Sequence, residues 1–156
     1  MRKTRRLQLQ GASNVRDLGG YPCGETITAW HCCYRSDMLN NLTQEDWKKL
    51  QEADIQLILD LRSKTEQIQA PYDSERYGIA RVSLPFMKEE VSLADSQDVQ
   101  AQKQFLDSMK LDYVDMVRAV PEAVCAALRH IRNTRKAGHA VLFHCTAGKD
   151  RTGILA

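Results

Sequence analysis

The chain has 156 residues, of which 43% are hydrophobic, and its 22 basic and 20 acidic side chains leave a formal net charge of +2. This length accommodates one domain with a hydrophobic core and is short for two. Because the net charge is small, no overall field favours nucleic acid as a partner, and any recognition of anions must be local.

The first predicted elements are a strand region and a helix. The segment "TITAWHCCYRS" (26–36) mixes β-branched and aromatic residues, which predicts one or two short strands. Thr43, three residues before Asp46, has the pattern of a helix N-terminal cap. Trp47 and Leu50 then form the apolar stripe of the predicted helix.

A buried strand, a short helix and a third strand follow. The segment "IQLILDLRS" (55–63) is continuously apolar until its polar end begins at Asp60, which is typical of a strand covered on both faces in a parallel sheet. Ser63 and Glu66 repeat the capping pattern and predict a short helix. The segment "IARVSLP" (79–85) predicts the third strand.

The second half of the chain is predicted to be mainly helical before one last strand. The polar stretch 88–98 lacks periodicity, and we expect it to be a mobile loop of the kind that covers sites. Apolar residues recur at helical spacing from Gln100, and Pro121 starts another helix that Gly138 ends. The stripe of this second helix consists of Val124, Leu128 and Ile131. The segment "AVLFH" (140–144) predicts a buried strand.

Strands that alternate with helices predict an α/β fold, with a largely parallel central sheet flanked by helices. The last strand leads directly into "HCTAGKDRTG" (144–153), at the edge where such sheets bind ligands. Inward backbone N–H groups between Cys145 and Arg151, followed by a helix N-terminus, would form an anion site. The planar guanidinium of Arg151 matches two phosphate oxygens, and the positive surroundings favour the nucleophilic thiolate of Cys145.

The spacing of Cys145, five residues and Arg151 resembles the protein tyrosine phosphatase superfamily, and the preceding His and the following Thr-Gly fit as well. More narrowly, the chain resembles the bacterial tyrosine phosphatases whose loop reads HCxxGKDRTG, some of which also remove phosphate from phosphoinositides. Three further stretches match that family: "NVRDLGGYP" (14–22), "YRSDMLNNLT" (34–43) and "LDLRSKTE" (59–66). The resemblance covers almost the whole chain and implies a fold of the cysteine-phosphatase type.

The resemblance also implies a two-step reaction without a metal or other cofactor. Cys145 would attack phosphorus to form a phosphocysteine, which water would hydrolyse to inorganic phosphate. The phosphate would be held by Thr146, Ala147, Gly148, Lys149, Asp150 and Arg151. His144 would order the loop, and Thr152 would either donate a hydrogen bond to the sulfur or cap the following helix.

Two residues are candidates for the acid that protonates the leaving oxygen. The better-known tyrosine phosphatases place an Asp on a Trp-Pro-Asp loop, and neither tryptophan of this chain is followed by Pro-Asp. Asp150 resembles the acid proposed for lipid-directed relatives, whereas Asp60 lies at the carboxyl end of a buried strand. Structural alternatives stay open: Asp150 orients Arg151, or Asp60 pairs with Arg62.

The expected function is hydrolysis of phosphotyrosine in proteins, with phosphoinositides or phosphoserine as further substrates. The main alternative is a module that binds phosphorylated partners without turnover. A second alternative, arsenate reduction on a similar loop, needs a resolving thiol near Cys145 that the sequence does not place.

Location and completeness of the domain are further expectations. No apolar run reaches the roughly 18 residues of a membrane span, and the N-terminal "MRKTRRLQLQG" lacks the apolar stretch of a signal peptide. We expect a cytoplasmic protein without a transmembrane segment, although export by another route stays open.

Family members continue well beyond the turn at 144–153, so we expect one phosphatase domain over 1–156 that is incomplete at its C-terminus. Its missing part would be lost or supplied by another fragment or chain.

Overall fold

The computed structural model describes residues 4–86 and 113–156 of the chain. Its strands are β1 (Arg16–Asp17), β2 (Pro22–Cys23), β3 (Thr26–Ile27), β4 (Cys33–Ser36), β5 (Ile55–Asp60), β6 (Ala80–Ser83) and β7 (Ala140–His144). Its α-helices are α1 (Gln44–Glu52), α2 (Lys64–Gln69), α3 (Tyr113–Ala119), α4 (Pro121–Lys136) and α5 (Asp150–Leu155), and Glu75–Tyr77 form a 3₁₀ turn.

The central sheet is five-stranded, in the order β1-β4-β7-β5-β6. Strands β4, β7, β5 and β6 run parallel, and the short edge strand β1 is antiparallel to β4. Strands β2 and β3 form a separate hairpin. The predicted α/β fold with a largely parallel central sheet is therefore confirmed, and β7 lies in its middle.

Most predicted elements of the described ranges are present. Strands β3 and β4 lie in the segment 26–36, and β5, β6 and β7 match the other three predicted strands. Helix α3 is the C-terminal part of the helix predicted from Gln100. The loop predicted over 88–98 and the start of that helix lie outside the described residues.

Both predicted capping boxes form. The Thr43 hydroxyl accepts a hydrogen bond from the Asp46 N–H, and the Asp46 carboxylate accepts one from the Thr43 N–H. Ser63 and Glu66 make the same reciprocal pair at the start of α2. Each box satisfies backbone donors that a helix N-terminus leaves without partners, and so fixes where the helix begins.

The hydrophobic core occupies both faces of the sheet. One face packs against α1 through Trp47 and Leu50, and the other packs against α4 around the buried Ala127. The buried face of α4 is centred on Ala127, so Leu128 lies at its border and remains 53% exposed. The prediction that Leu128 belongs to the apolar stripe in the core was therefore wrong. Within residues 4–86 and 113–156, no helix is long and apolar enough to cross a membrane.

Candidate active site

The candidate site is the loop that joins β7 to α5. Strand β7 carries His144 to the carboxyl edge of the sheet, and the loop turns back at Gly148 with a φ of +66°. A Cβ at this position would lie 2.5 Å from the Ser36 carbonyl oxygen on β4. Only glycine combines this backbone conformation with such a close approach, so Gly148 sets the shape of the loop.

The sulfur of Cys145 lies inside this loop. Its Sγ accepts hydrogen bonds from the Gly148 N–H at 3.2 Å and from the Thr152 hydroxyl at 3.1 Å. Cys145 is 2% exposed and borders the apolar cluster under α4, but the two donors distinguish it from an ordinary core thiol. Two hydrogen-bond donors thus point at the sulfur.

Arg151 is held against the loop by Glu66 of α2. Its Nη1 lies 2.6 Å from Oε2 and its Nη2 lies 2.8 Å from Oε1, and the Thr146 hydroxyl also donates to Oε1. Burial alone would raise the pKa of Glu66, but the hydrogen bonds from Arg151 and Thr146 lower it to about 2. Glu66 is therefore a carboxylate at any pH near neutrality and fixes the direction of the guanidinium.

His144 orders the start of the loop as a neutral imidazole. It is fully buried, and burial lowers its pKa to about 4. Its Nδ1 lies 3.0 Å from the Cys145 carbonyl oxygen, which can only accept, so this nitrogen carries the proton. Its Nε2 then accepts from the Tyr72 hydroxyl at 2.7 Å. This pair of contacts fixes the tautomer and the backbone of the cysteine.

The outer side of the loop is held by side chains from β4 and from the segment before β1. The Arg35 Nη2 donates to the carbonyls of Gly148 at 2.8 Å and Lys149 at 3.2 Å. The Asn14 amide donates to the carbonyls of Ala147 and Gly148 at 3.2 and 3.3 Å. Because these carbonyls point outward, the loop can direct its N–H groups inward, as an anion site requires.

The two candidate acids have different surroundings. Asp60 is fully buried, and its oxygens accept from the Arg62 Nε at 2.9 Å and from the Arg62 Nη2 at 2.8 Å. Burial opposes ionisation of Asp60, but the hydrogen bonds and charge of Arg62 lower its pKa overall. Asp150 is partly exposed at the start of α5, and its Oδ1 accepts from the Tyr113 hydroxyl at 2.8 Å. That hydrogen bond raises the pKa of Tyr113.

The structure brings most of the predicted site residues to one loop. Cys145 and Thr152 meet at the sulfur, His144 supports the backbone, and Lys149 is exposed at the rim. Asp60 instead directs both oxygens to Arg62. In the part of the chain that the structure describes, no group of three or more His, Cys, Asp or Glu side chains could hold a metal ion.

Sequence reasoning missed the contacts of Glu66, Arg35, Tyr72 and Tyr113 with the site. The capping-box pattern explains Glu66 locally and gives no sign of its contact with the loop. Arg35 and Glu66 both lie in stretches that matched the family, which was the available signal. Tyr72 and Tyr113 lie in segments without such a match.

The structure thus places a cysteine, whose sulfur accepts from the Gly148 N–H, and an arginine six residues later at the carboxyl edge of a parallel sheet. A family model described as the tyrosine phosphatase family matches residues 7–156, so the chain belongs to that family. The family resemblance of the sequence is thereby confirmed.

Two curated relatives agree with this assignment. A tyrosine-protein phosphatase of Nostoc commune is 31% identical over 138 residues, which are 86% of this chain and 44% of the relative. A putative tyrosine-protein phosphatase of Cupriavidus necator is 30% identical over 148 residues, 92% of this chain and 52% of the relative. The chain thus spans about half the length of the curated relatives it matches.

Solved structures of phosphatases are also similar to this chain, at low identity. A variant of P. aeruginosa TpbA in complex with pTyr has a TM-score of 0.43 at 17% identity, covering 81% of this chain and 56% of that chain. Kinase associated phosphatase, with its catalytic-site cysteine replaced by serine, has a TM-score of 0.46 at 12% identity, covering 78% and 58%.

Proposed function

We propose that this chain is a cysteine-dependent phosphomonoester hydrolase that acts on phosphotyrosine through a phosphocysteine at Cys145. The observation that carries the proposal is the sulfur of Cys145, hydrogen-bonded to Gly148 and Thr152, in the same loop whose Arg151 is oriented by Glu66. Family membership and the names of the two curated relatives support tyrosine as the substrate side chain.

In the first step, the Cys145 thiolate attacks phosphorus, and the S–P bond forms as the P–O bond to the tyrosine oxygen breaks. The leaving oxygen takes a proton from Asp150. Arg151 and the loop N–H groups hold the three remaining phosphate oxygens, where negative charge is redistributed. Donors fixed in place before the reaction stabilise such a transition state without reorganisation cost.

In the second step, water attacks phosphorus and gives a proton to Asp150 as the S–P bond breaks. The electron pair returns to the Cys145 sulfur, and inorganic phosphate leaves. The Thr152 hydroxyl, 3.1 Å from the sulfur, stabilises the departing thiolate. Each turnover thus consumes one water and restores both the thiolate and the acid.

We assign the proton transfer to Asp150 rather than to Asp60. A general acid must release a proton within hydrogen-bond reach of the leaving oxygen. Asp60 is fully buried and engaged with Arg62 through both oxygens, whereas Asp150 is partly exposed next to Arg151. Asp150→Asn should slow hydrolysis of aryl phosphates with poor leaving groups far more than of para-nitrophenyl phosphate. An equal effect on both would count against Asp150.

Phosphoinositides and phosphoserine are proposed as further substrates. Lys149 is exposed beside the loop and offers a second cation to a ligand with more than one phosphate. A panel of phosphotyrosine, phosphoserine and phosphoinositides ranks them by kcat/KM.

The test of the function is hydrolysis of para-nitrophenyl phosphate. Cys145→Ser should abolish turnover, while the matched control Cys125→Ser, an exposed cysteine of α4, should retain it. Thermal unfolding of both variants checks that they are folded. Unchanged hydrolysis in Cys145→Ser would eliminate the proposed nucleophile. Binding of phosphotyrosine by the native chain without release of phosphate would instead make it a recognition module.

A further inference from the structure

Three arginines lie side by side across the edge of the sheet. Arg6 forms an isolated antiparallel bridge with Arg16, and Arg16 of β1 pairs with Arg35 of β4. Residues opposite each other in neighbouring strands point to the same face, with Cβ atoms about 5 Å apart. Arg6, Arg16 and Arg35, here called the basic row, therefore project from one face of the sheet.

The basic row begins at the phosphate loop. Its inner member, Arg35, donates to the carbonyls of Gly148 and Lys149. Asn14, two residues before Arg16, donates to Gly148 as well. The row consequently runs outward from the loop, and Arg16 and Arg6 are both exposed.

The arrangement is electrostatically unfavourable by itself. Like charges directly opposite each other in a sheet are destabilising. Among the residues that the structure describes, neither Arg6 nor Arg16 forms an ion pair with a carboxylate, and the Arg6 side chain donates only to the Ser13 carbonyl oxygen at 3.2 Å. Arg6 and Arg16 therefore place two cations, each without a described carboxylate partner, on the outer side of the loop, although the net charge of the chain is only +2.

We propose that the basic row binds acidic residues that flank the phosphotyrosine of a protein substrate, an inference that rests on the proposed function. Neighbouring strands are about 4.8 Å apart, so the row extends roughly 10 Å from Arg35 to Arg6. An extended peptide covers this length in about three residues. Acidic residues spread over about three successive positions near the phosphotyrosine would therefore face the whole row. A membrane surface fits this row less well, because stable attachment needs more than a few cations.

The proposal is tested with two phosphotyrosine peptides. They differ only at the three flanking positions on each side, where one peptide carries Asp and Glu and the other carries Asn and Gln. The native chain should have a higher kcat/KM for the acidic peptide, and added salt should reduce that preference. Arg16→Gln should lower the ratio of the two kcat/KM values by about two- to fivefold, the range expected for an exposed ion pair. Arg129→Gln, on an exposed position of α4, is the matched control and should leave the ratio unchanged.

Stability provides a readout that separates binding from a folding defect. Because Arg16→Gln removes repulsion within the row, its Tm at low salt should equal or exceed that of the native chain.

A ratio of the two kcat/KM values near one in the native chain, or an unchanged ratio in Arg16→Gln, would overturn the proposal while leaving the proposed function intact. Loss of binding to phosphatidylserine vesicles in Arg16→Gln, with an unchanged peptide ratio, would overturn it too and assign the row to membranes. If neither peptide is hydrolysed, the proposed function fails. The affinities of the two peptides, measured by calorimetry, then still show whether the basic row favours the acidic peptide.

Discussion

Two carboxylate–arginine pairs of the chain differ in what surrounds them. Asp60 and Arg62 are two residues apart, and their side chains are 0% and 1% exposed. Glu66 and Arg151 are 85 residues apart, and their side chains are 27% and 13% exposed. The same chemistry thus appears once as a closed structural unit and once at a site that a ligand can reach.

The degree of burial determines whether an ion pair mainly stabilises the fold or mainly orients a side chain. A fully buried pair has exchanged all of its water for the partner, so the loss of one member leaves an uncompensated charge in the interior. A partly exposed pair contributes less to stability but can orient a guanidinium that still faces a ligand. We therefore expect changes to Asp60 to affect folding and changes to Glu66 to affect turnover.

The largest expected effect is on stability, in Asp60→Asn. The substitution removes the charge that compensates the buried Arg62 and should lower the free energy of unfolding by about 3–5 kcal/mol. Urea unfolding of the variant and the native chain measures the difference. A loss below about 1 kcal/mol would mean that Arg62 finds another partner and that the pair is not the structural unit described.

The next effect is a pH dependence of stability from His144. Its folded pKa of about 4 lies below the ordinary value, so the unfolded chain binds the proton more readily between about pH 4 and 6.5. Neutral His144 therefore contributes fully to the free energy of unfolding above about pH 6.5. This contribution, roughly 3 kcal/mol in total, is lost as the pH falls towards 4.

Unfolding free energies at several pH values, in the native chain and in His144→Asn, measure this dependence. The variant should show a flatter curve in that window, because it lacks the titrating group. Parallel curves would mean that other groups cause the dependence.

A smaller effect, on turnover, is expected for Glu66→Gln. The amide keeps the shape of the side chain but loses the charge that orients Arg151, and kcat/KM should fall by about ten- to a hundredfold. The affinity for phosphate should fall as well, because Arg151 is also a proposed phosphate ligand. Since the pKa of Glu66 is about 2, the ratio of native to variant activity should stay constant through neutral pH.

Glu75→Gln, an exposed glutamate of the 3₁₀ turn, is the matched control and should behave like the native chain. A large loss of stability in Glu66→Gln, with normal kcat/KM in the folded fraction, would contradict the distinction between the two pairs.

The smallest effect is expected for Tyr113→Phe. The tyrosine hydroxyl donates to the carboxylate of Asp150 at an exposed position, so its loss should leave the urea midpoint close to that of the native chain. The hydrogen bond also holds the Asp150 carboxylate in one orientation, so its removal should lower kcat for a substrate with a poor leaving group, by less than Asp150→Asn does. Steady-state kinetics of the two variants measure the difference. An unchanged kcat in Tyr113→Phe, with Asp150→Asn impaired, would show that Tyr113 does not influence Asp150.

The fold was largely predictable because its signals are local. Capping residues such as Thr43 and Ser63 determine where helices begin, and the continuous apolar run of β5 is typical of a central parallel strand. Leu128 was misassigned because helical spacing identifies an apolar stripe but does not locate the residue at its centre. That centre is Ala127, whose small side chain gave little signal.

The site was predictable where its residues are contiguous and unpredictable where it is assembled from distant elements. Cys145, Arg151 and Thr152 occupy one turn, so their spacing is informative. Glu66 reaches the loop only because α2 follows β5, which neighbours β7 in the sheet. Such a contact depends on strand order, which no local pattern in one sequence specifies.

The most direct test of the account is to trap the phosphocysteine. The native chain is mixed with para-nitrophenyl phosphate, quenched rapidly in acid, digested and analysed by mass spectrometry. We expect the mass of one phosphoryl group on the peptide that contains Cys145, and its absence in Cys145→Ser. Phosphate released by the native chain with no such adduct at any quench time, or with the adduct on another residue, would contradict Cys145 as the nucleophile.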